Sequence, residues 1–184
     1  MASNDAETRE IIKEFYRTSG IKLFVNAFGT YENPVSDGLD PANCSISLLA
    51  YIKDYGFDGV NIDFRDVGSF KGKGGLSWMT NFMLNIQSSN VDSNIAVSHS
   101  IDVGLFDGGQ YPTGDYSFIE KAVGKDIDFY NIRYATAKSN FTIYEEIFQS
   151  GVNSVNNLVR KGVPINKIII SKPSTFNQKG FTRP

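Results

Sequence analysis

The 184 residues are 41% hydrophobic and 21% charged, ordinary proportions for a single soluble domain spanning 1–184 with enough chain to bury a core. With 18 Lys and Arg against 20 Asp and Glu the formal net charge is -2, and no basic stripe or block of like charges is present, which argues against nucleic acid as a partner. One cysteine, Cys44, and one histidine, His99, exclude an intrachain disulfide and a Cys/His metal cage, so neither metal nor cofactor is expected.

The start MASNDAETRE is polar and acidic rather than basic and then apolar, and no apolar run approaches the roughly 18 residues of a membrane span. A cytoplasmic, non-membrane chain is expected, or a secreted one if the sequence is a fragment of a longer precursor. Residues 5–19 place Ile11, Ile12, Phe15 and Tyr16 at helical spacing behind Ser3, Asn4 and Asp5, and Gly20 stops the helix. Ile21 to Phe28 reads as an apolar strand closed by Gly29, and Asn33, Pro34, Asp37, Gly38 and Pro41 mark the loop that follows. A helix over 43–54 is expected to bury Ile46, Leu49, Ala50 and Ile52 and to end at Gly56.

Further strands are expected near 58–64, 94–101 and 127–134, with a last one at Lys167 to Ile170. Helices near 77–89, 115–123 and 142–161 separate them, the first burying Trp78, Phe82 and Ile86. The loop Gly68 to Gly75, with four glycines, reads as a mobile insertion directly after the 58–64 strand. Strands alternating with helices imply parallel βαβ units whose ligand site lies at the carboxyl ends of the strands. This pattern fits an open doubly wound sheet or part of a (β/α)8 barrel.

Side chains alternate faces along a strand, so in the strand Phe57 to Phe64 and its continuation Asn61, Asp63 and Arg65 share one face while Val60, Ile62 and Phe64 share the other. Three polar groups in line, backed by an apolar face, point to a buried strand with a functional edge at its end. The segment Asp58 to Asp66, reading DGVNIDFRD, resembles the fourth-strand motif Asp-Gly-x-Asp-x-Asp-x-Glu of family 18 glycoside hydrolases, the chitinases and endo-β-N-acetylglucosaminidases. It matches at Asp58, Gly59 and Asp63, and departs at Asn61 and Arg65.

Other segments resemble the same family in the same order: Asn26–Ala27–Phe28–Gly29 its third strand, Val97 to Ser100 its fifth, Tyr130 to Ala135 its sixth, and Gly162 to Lys167 with Ser171–Lys172–Pro173 its seventh. Asn33–Pro34 to Asp40–Pro41 is similar to the linker of fungal-type members. The resemblance implies an α/β fold of parallel βα units, a TIM-barrel-type (β/α)8 barrel that is incomplete and supplies about strands three to seven. Such a fragment exposes two strand edges. The implied ligand is a chitooligosaccharide or N-glycan containing N-acetylglucosamine, and the residues the resemblance brings to it are Asp63, Arg65, Asn26, Phe28, His99, Arg133 and Tyr134.

In that family the sugar's own N-acetyl oxygen attacks while a glutamic acid protonates the leaving oxygen. Arg65 stands at the acid's position, and a guanidinium with a pKa above about 12 cannot serve as a general acid. Arg65 is also expected to pair with Asp63, the counterpart of the carboxylate that orients the acetamido group. Asp66 points away if the strand continues, and the family's sixth-strand tyrosine falls at Ala135, with Tyr134 on the opposite face.

The expectation is a pseudoenzyme with a degenerate motif (Asp58, Asn61, Asp63, Arg65) and no catalytic residue. Two alternatives stay open: a self-assembling scaffold, whose open edges a second copy or a partner chain covers, and a hydrolase with a rewired acid. His99 between Ser98 and Ser100 lacks a G-x-S-x-G elbow and reads as a core or mouth residue. Phe28, Tyr31, Phe64, Phe70, Tyr111 and Tyr134 lie near strand ends, where aromatics either stack on sugars or fill the core, and Trp78 reads as packing.

Overall fold

The computed structural model describes residues 2–72, 74–89, 94–106, 108, 111, 115–134, 144–149 and 151–172, with backbone alone at 2–5 and 144–146. The elements are α1 (Ala2–Thr18), β1 (Phe24–Ala27), α2 (Pro41–Tyr55), β2 (Gly59–Ile62), α3 (Gly75–Ser89), β3 (Ala96–Asp102), α4 (Ser117–Val123), β4 (Phe129–Arg133), α5 (Tyr144–Gln149), α6 (Val155–Arg160) and β5 (Ile168–Ser171). The five strands form one sheet in the order β1-β2-β3-β4-β5, every neighbouring pair parallel. A doubly wound sheet reverses its strand order at a switch point, and this one runs straight through, so the choice left open by the sequence falls to an arc of a barrel.

Period-2 patterning explains which face is packed. Val60, Ile62 and Phe64, then Val97, His99 and Ile101, then Tyr130 and Ile132, all point to the helix layer and are buried. α3 meets them with Trp78, Met79, Phe82, Met83 and Ile86, the i, i+1, i+4, i+5, i+8 stripe of an amphipathic helix. Each such side chain removed from water contributes about 1.5–3 kcal/mol, so this layer holds the arc together.

Local signals set the element ends. Asp40 caps α2 by accepting the Asn43 N–H at 2.8 Å, Pro41 stands in its first turn, and Gly56 closes it in the left-handed conformation at φ 62°.

Three expectations need correction. The helix over 142–161 is two short helices, because Gly151 turns the chain at φ 91° and Ser154 starts α6 afresh, accepting the Asn157 N–H. α2 does bury Ile52, but Ile46 is 60% exposed and Ala50 is exposed too, since the helix packs through Ser45 and Ile52 with Leu48 and Leu49 half-buried. The glycine loop is anchored rather than loose. Residues Val67–Phe70 form a 3-10 turn, Phe70 is fully buried against Phe64, Tyr111 and Tyr116, and Gly75 already opens α3. A Cβ at Gly75 would lie 2.3 Å from Ser69 Oγ, so this glycine serves close packing. Lys73 lies outside the described residues.

α1 keeps its expected apolar stripe, yet Ile11, Ile12 and Phe15 remain 47–65% exposed. Among the described residues β1 and β5 are the outermost strands of the sheet.

Candidate functional site

The face of the sheet opposite the helices is polar towards the carboxyl ends of the strands, while at its foot the Phe24 and Phe129 rings pack together, centroids 6.0 Å apart. Asn26 on β1, Asn61 on β2, Ser98 and Ser100 on β3, and Asn131 and Arg133 on β4 all have the same parity in the register and join in one hydrogen-bonded row. Asn61 is its hub: its Nδ2 donates to Asn26 Oδ1 at 2.5 Å, and its Oδ1 accepts from Ser98 Oγ at 3.1 Å and Ser100 Oγ at 3.0 Å. Asn131 Nδ2 extends the row to Ser100 Oγ at 3.3 Å. An aspartate at position 61 would accept only and could not donate to Asn26, so the amide suits this network as a carboxylate would not.

Asp63 stands just beyond β2, 8% exposed, its backbone N–H tied to Ala27 O at 2.8 Å. Two guanidinium groups close on its carboxylate. Arg65 folds back in a side-on grip, Nε reaching Oδ1 at 3.1 Å and Oδ2 at 3.0 Å and Nη2 reaching Oδ2 at 2.9 Å. From β4, Arg133 Nη1 donates to Oδ1 at 2.5 Å and to the Ser100 carbonyl at 3.2 Å. Hydrogen bonding to Asp63 raises the Arg65 pKa further above its ordinary value, so Arg65 holds its proton throughout the accessible pH range. Bidentate pairing of this kind fixes direction as well as charge.

The other motif residues do structural work. Asp58 sits at the foot of β2 and accepts the Leu23 N–H at 2.8 Å, stapling β1 to β2. Asp128 does the same two strands on, between β3 and β4, accepting the Val97 N–H at 2.7 Å, a parallel that the sequence carries as an aspartate just before β2 and β4. Gly59 lies under the Phe24 ring, where a Cβ would come within 2.6 Å of both that ring and the Ala96 carbonyl. Asp66 is turned away from the row, buried, and accepts the Ser36 N–H at 2.7 Å and hydroxyl at 2.8 Å. It anchors the loop after β1, and its geometry offers nothing to a substrate on the polar face.

Asn26, Asp63, Arg65 and Arg133 are therefore brought together on one face, and three other candidates are not. His99 is fully buried on the helix side between Tyr116 Oη and Met83 Sδ, and burial pushes its pKa down to about 3. Tyr134 points into the same layer, donating to the Asn153 carbonyl at 3.0 Å, and burial raises its pKa. Phe28, at φ 59°, turns off the end of β1 and packs edge-on against Trp78 and Phe82. In each case alternation along the strand, or the turn at its end, decides the side.

Phe64, Phe70 and Tyr111 are core, while Tyr31 is 94% exposed beside a cleft of about 700 Å³ between β1, the loop after it and α2. Trp78 packs as expected, donating Nε1–H to the Leu39 carbonyl at 2.7 Å. Ala135 and Pro173 lie outside the described residues. The serines of β3 and Asn131 were missed as site members; their signal was period-2 polarity on two strands neighbouring Asn61. Among the described residues no group of three His, Cys, Asp or Glu side chains is placed to hold a metal ion.

This arc with its polar inner face is the fold of family 18 chitinases and chitinase-like proteins. The structure superposes on a family 18 chitinase from Pseudoalteromonas aurantia with a TM-score of 0.74 at 22% identity, covering 94% of this chain and 64% of that one. A family 18 chitinase from Chromobacterium violaceum matches at 0.63 and 16% identity over 92% of this chain and 52% of its own. Human YKL-39, described as a pseudo-chitinase with retained chitooligosaccharide binding properties, matches at 0.57 and 12% identity over 90% and 51%. The chain thus spans 64% of the first of these proteins and about half of the other two. No family model and no curated protein sequence matches it.

Proposed function

We propose that this chain is a chitinase-like protein without hydrolytic activity that binds glycans containing N-acetylglucosamine along the polar inner face of its sheet. One observation carries the reading: the carboxylate of Asp63 is held by both Arg65 and Arg133, and the position of the proton donor is itself one of those arginines. A guanidinium, with a pKa above about 12, does not give up its proton to a leaving oxygen, and general acid catalysis contributes about 100- to 10,000-fold. The nearest further carboxylate on that strand, Asp66, is engaged with Ser36 on the other side. What remains is a row of amides, hydroxyls and guanidinium groups, the chemistry that recognises sugar hydroxyls and acetamido groups. Calorimetric titration with chitooligosaccharides tests the binding, with saturable heat at millimolar sugar expected and none refuting it. A fluorogenic chitobioside assay is expected to stay flat from pH 4 to 8, and turnover would favour the hydrolase reading.

A second reading has its own observation. The edges of β1 and β5, which no strand covers among the described residues, and the exposed Ile11, Ile12 and Phe15 of α1 favour association with a second copy or a partner chain. Light scattering at high concentration decides it, a monomer counting against self-association.

A further inference from the structure

We infer that the Asp63–Arg65–Arg133 cluster has inverted the polarity of the site, so that the glycan it prefers carries an anionic group, a carboxylate or sulfate, seated on the unused N–H groups of Arg65. The inference rests on the glycan-binding reading above. The Asp63 carboxylate receives three N–H groups: the Nε–H of Arg65 shared between both oxygens, one Nη2–H of Arg65, and one Nη1–H of Arg133. Both of its oxygens are engaged by guanidinium groups, so an acetamido N–H has to compete with charge-assisted donors for it.

The donors, by contrast, are in surplus. A guanidinium has five N–H groups; among the described residues those of Arg65 meet Asp63 alone, from Nε and Nη2, and those of Arg133 meet Asp63 and Ser100 O, both from Nη1. Among the described residues the Nη1 group of Arg65 and the Nη2 group of Arg133 therefore have no protein acceptor, and the Arg65 side chain is 41% exposed. Two positive charges stand against one negative in the triad itself. Asp102, which pairs with Arg133 in the register of β3 and β4 and accepts the Gly104 N–H at 2.8 Å, adds its charge on the Arg133 side, which leaves Arg65 as the guanidinium open to an anion.

A site rich in guanidinium donors, with its carboxylate consumed, takes acceptor-only groups, and planar or tetrahedral oxyanions fit it best. The amide N–H groups of Asn26 and Asn61 that the row does not use stay available to the neutral part of the sugar. The ligand class is an acidic saccharide rather than a neutral one.

The test is calorimetric titration of the full 184-residue chain with three tetrasaccharides: neutral chitotetraose, one alternating glucuronate with N-acetylglucosamine, and 6-O-sulfated chitotetraose. One acidic ligand is expected to bind roughly tenfold more tightly than the neutral one, as a charge-assisted contact at a half-exposed site allows. That preference should shrink as ionic strength rises from about 0.01 M to about 0.15 M. A preference for glucuronate identifies a carboxylate and one for the sulfated sugar a sulfate, and either supports the inference. Equal affinity for all three, or a preference for chitotetraose, overturns it while leaving glycan binding intact; no heat from any of them overturns both. In Arg65→Gln the preference should fall within about twofold, the free-energy difference of one lost charge being of the tenfold order. A variant that folds by circular dichroism and keeps the full preference removes Arg65 from the account, and the wild-type series stands whether or not the variant folds.

Discussion

Acidification from pH 7 to pH 5 should destabilise this protein through one side chain. His99 is the single histidine of the chain, fully buried, with its pKa pushed down from 6.5 to about 3 by desolvation. It stays neutral in the folded state and takes a proton only on unfolding, so between about pH 6.5 and pH 3 the unfolded chain binds one proton more and stability rises with pH. The contribution is fully present above pH 6.5 and is lost progressively as pH falls towards 3. At pH 5 the loss covers about 1.5 pH units, which at about 1.36 kcal/mol per unit is about 2 kcal/mol. With a urea slope of about 2 kcal/mol/M, the unfolding midpoint should fall by about 1 M between pH 7 and pH 5. Carboxylates titrate mostly below this window, so the comparison isolates the imidazole. His99→Gln starts from lower stability, and its midpoint should move by less than about 0.3 M over the same interval. A wild-type midpoint that moves no further than this, or a variant that moves as far as wild type, refutes the reasoning.

Other expectations follow from the same geometry. Gly59→Ala drives a Cβ to within 2.6 Å of the Ala96 carbonyl and the Phe24 ring, and should cost about 1–3 kcal/mol by urea unfolding. Asp66→Ala leaves the Ser36 N–H without its acceptor and should cost about 1–3 kcal/mol, yet leave the heat of chitooligosaccharide binding unchanged; a lost binding signal in the folded variant would place Asp66 at the site. Asn61→Asp removes the donor to Asn26 and sets a second carboxylate beside Asp63, and a loss of about 1 kcal/mol at pH 7 is expected, recovered in part as the pH falls towards 4.

Much of the architecture was legible because parallel βα units write a simple pattern: apolar strands at regular spacing, helices between them, and a glycine or capping residue at the joints. The order of the strands was not, since winding direction leaves no local trace and only the assembled register distinguishes an arc from a doubly wound sheet. At the site, alternation along the second strand placed Asn61 and Asp63 with Arg65 and opposed them to Ile62 and Phe64, as found. The same rule sends His99 and Tyr134 to the core side, as the reading of Tyr134 on the opposite face and of His99 as a core or mouth residue already had it, yet resemblance kept both among the ligand residues.

Arg133 was named as a ligand residue, but its grip on Asp63 joins residues 70 apart in sequence, and such a contact emerges only from the strand register. The anchoring of the glycine loop by Phe70 and the split of the 142–161 helix were missed for the opposite reason. There a single buried aromatic and a single left-handed glycine outweighed the composition of their neighbourhoods.

The most direct test of the central claim follows the labelled protein and the sugar in one tube, by NMR titration of the ¹⁵N-labelled chain with chitotetraose. The account predicts saturable shifts at the side-chain amides of Asn26, Asn61 and Asn131 and at Arg65 Nε, with the tetrasaccharide signals intact after prolonged incubation. No shift at those groups, or the appearance of the anomeric signals of shorter products, would contradict it.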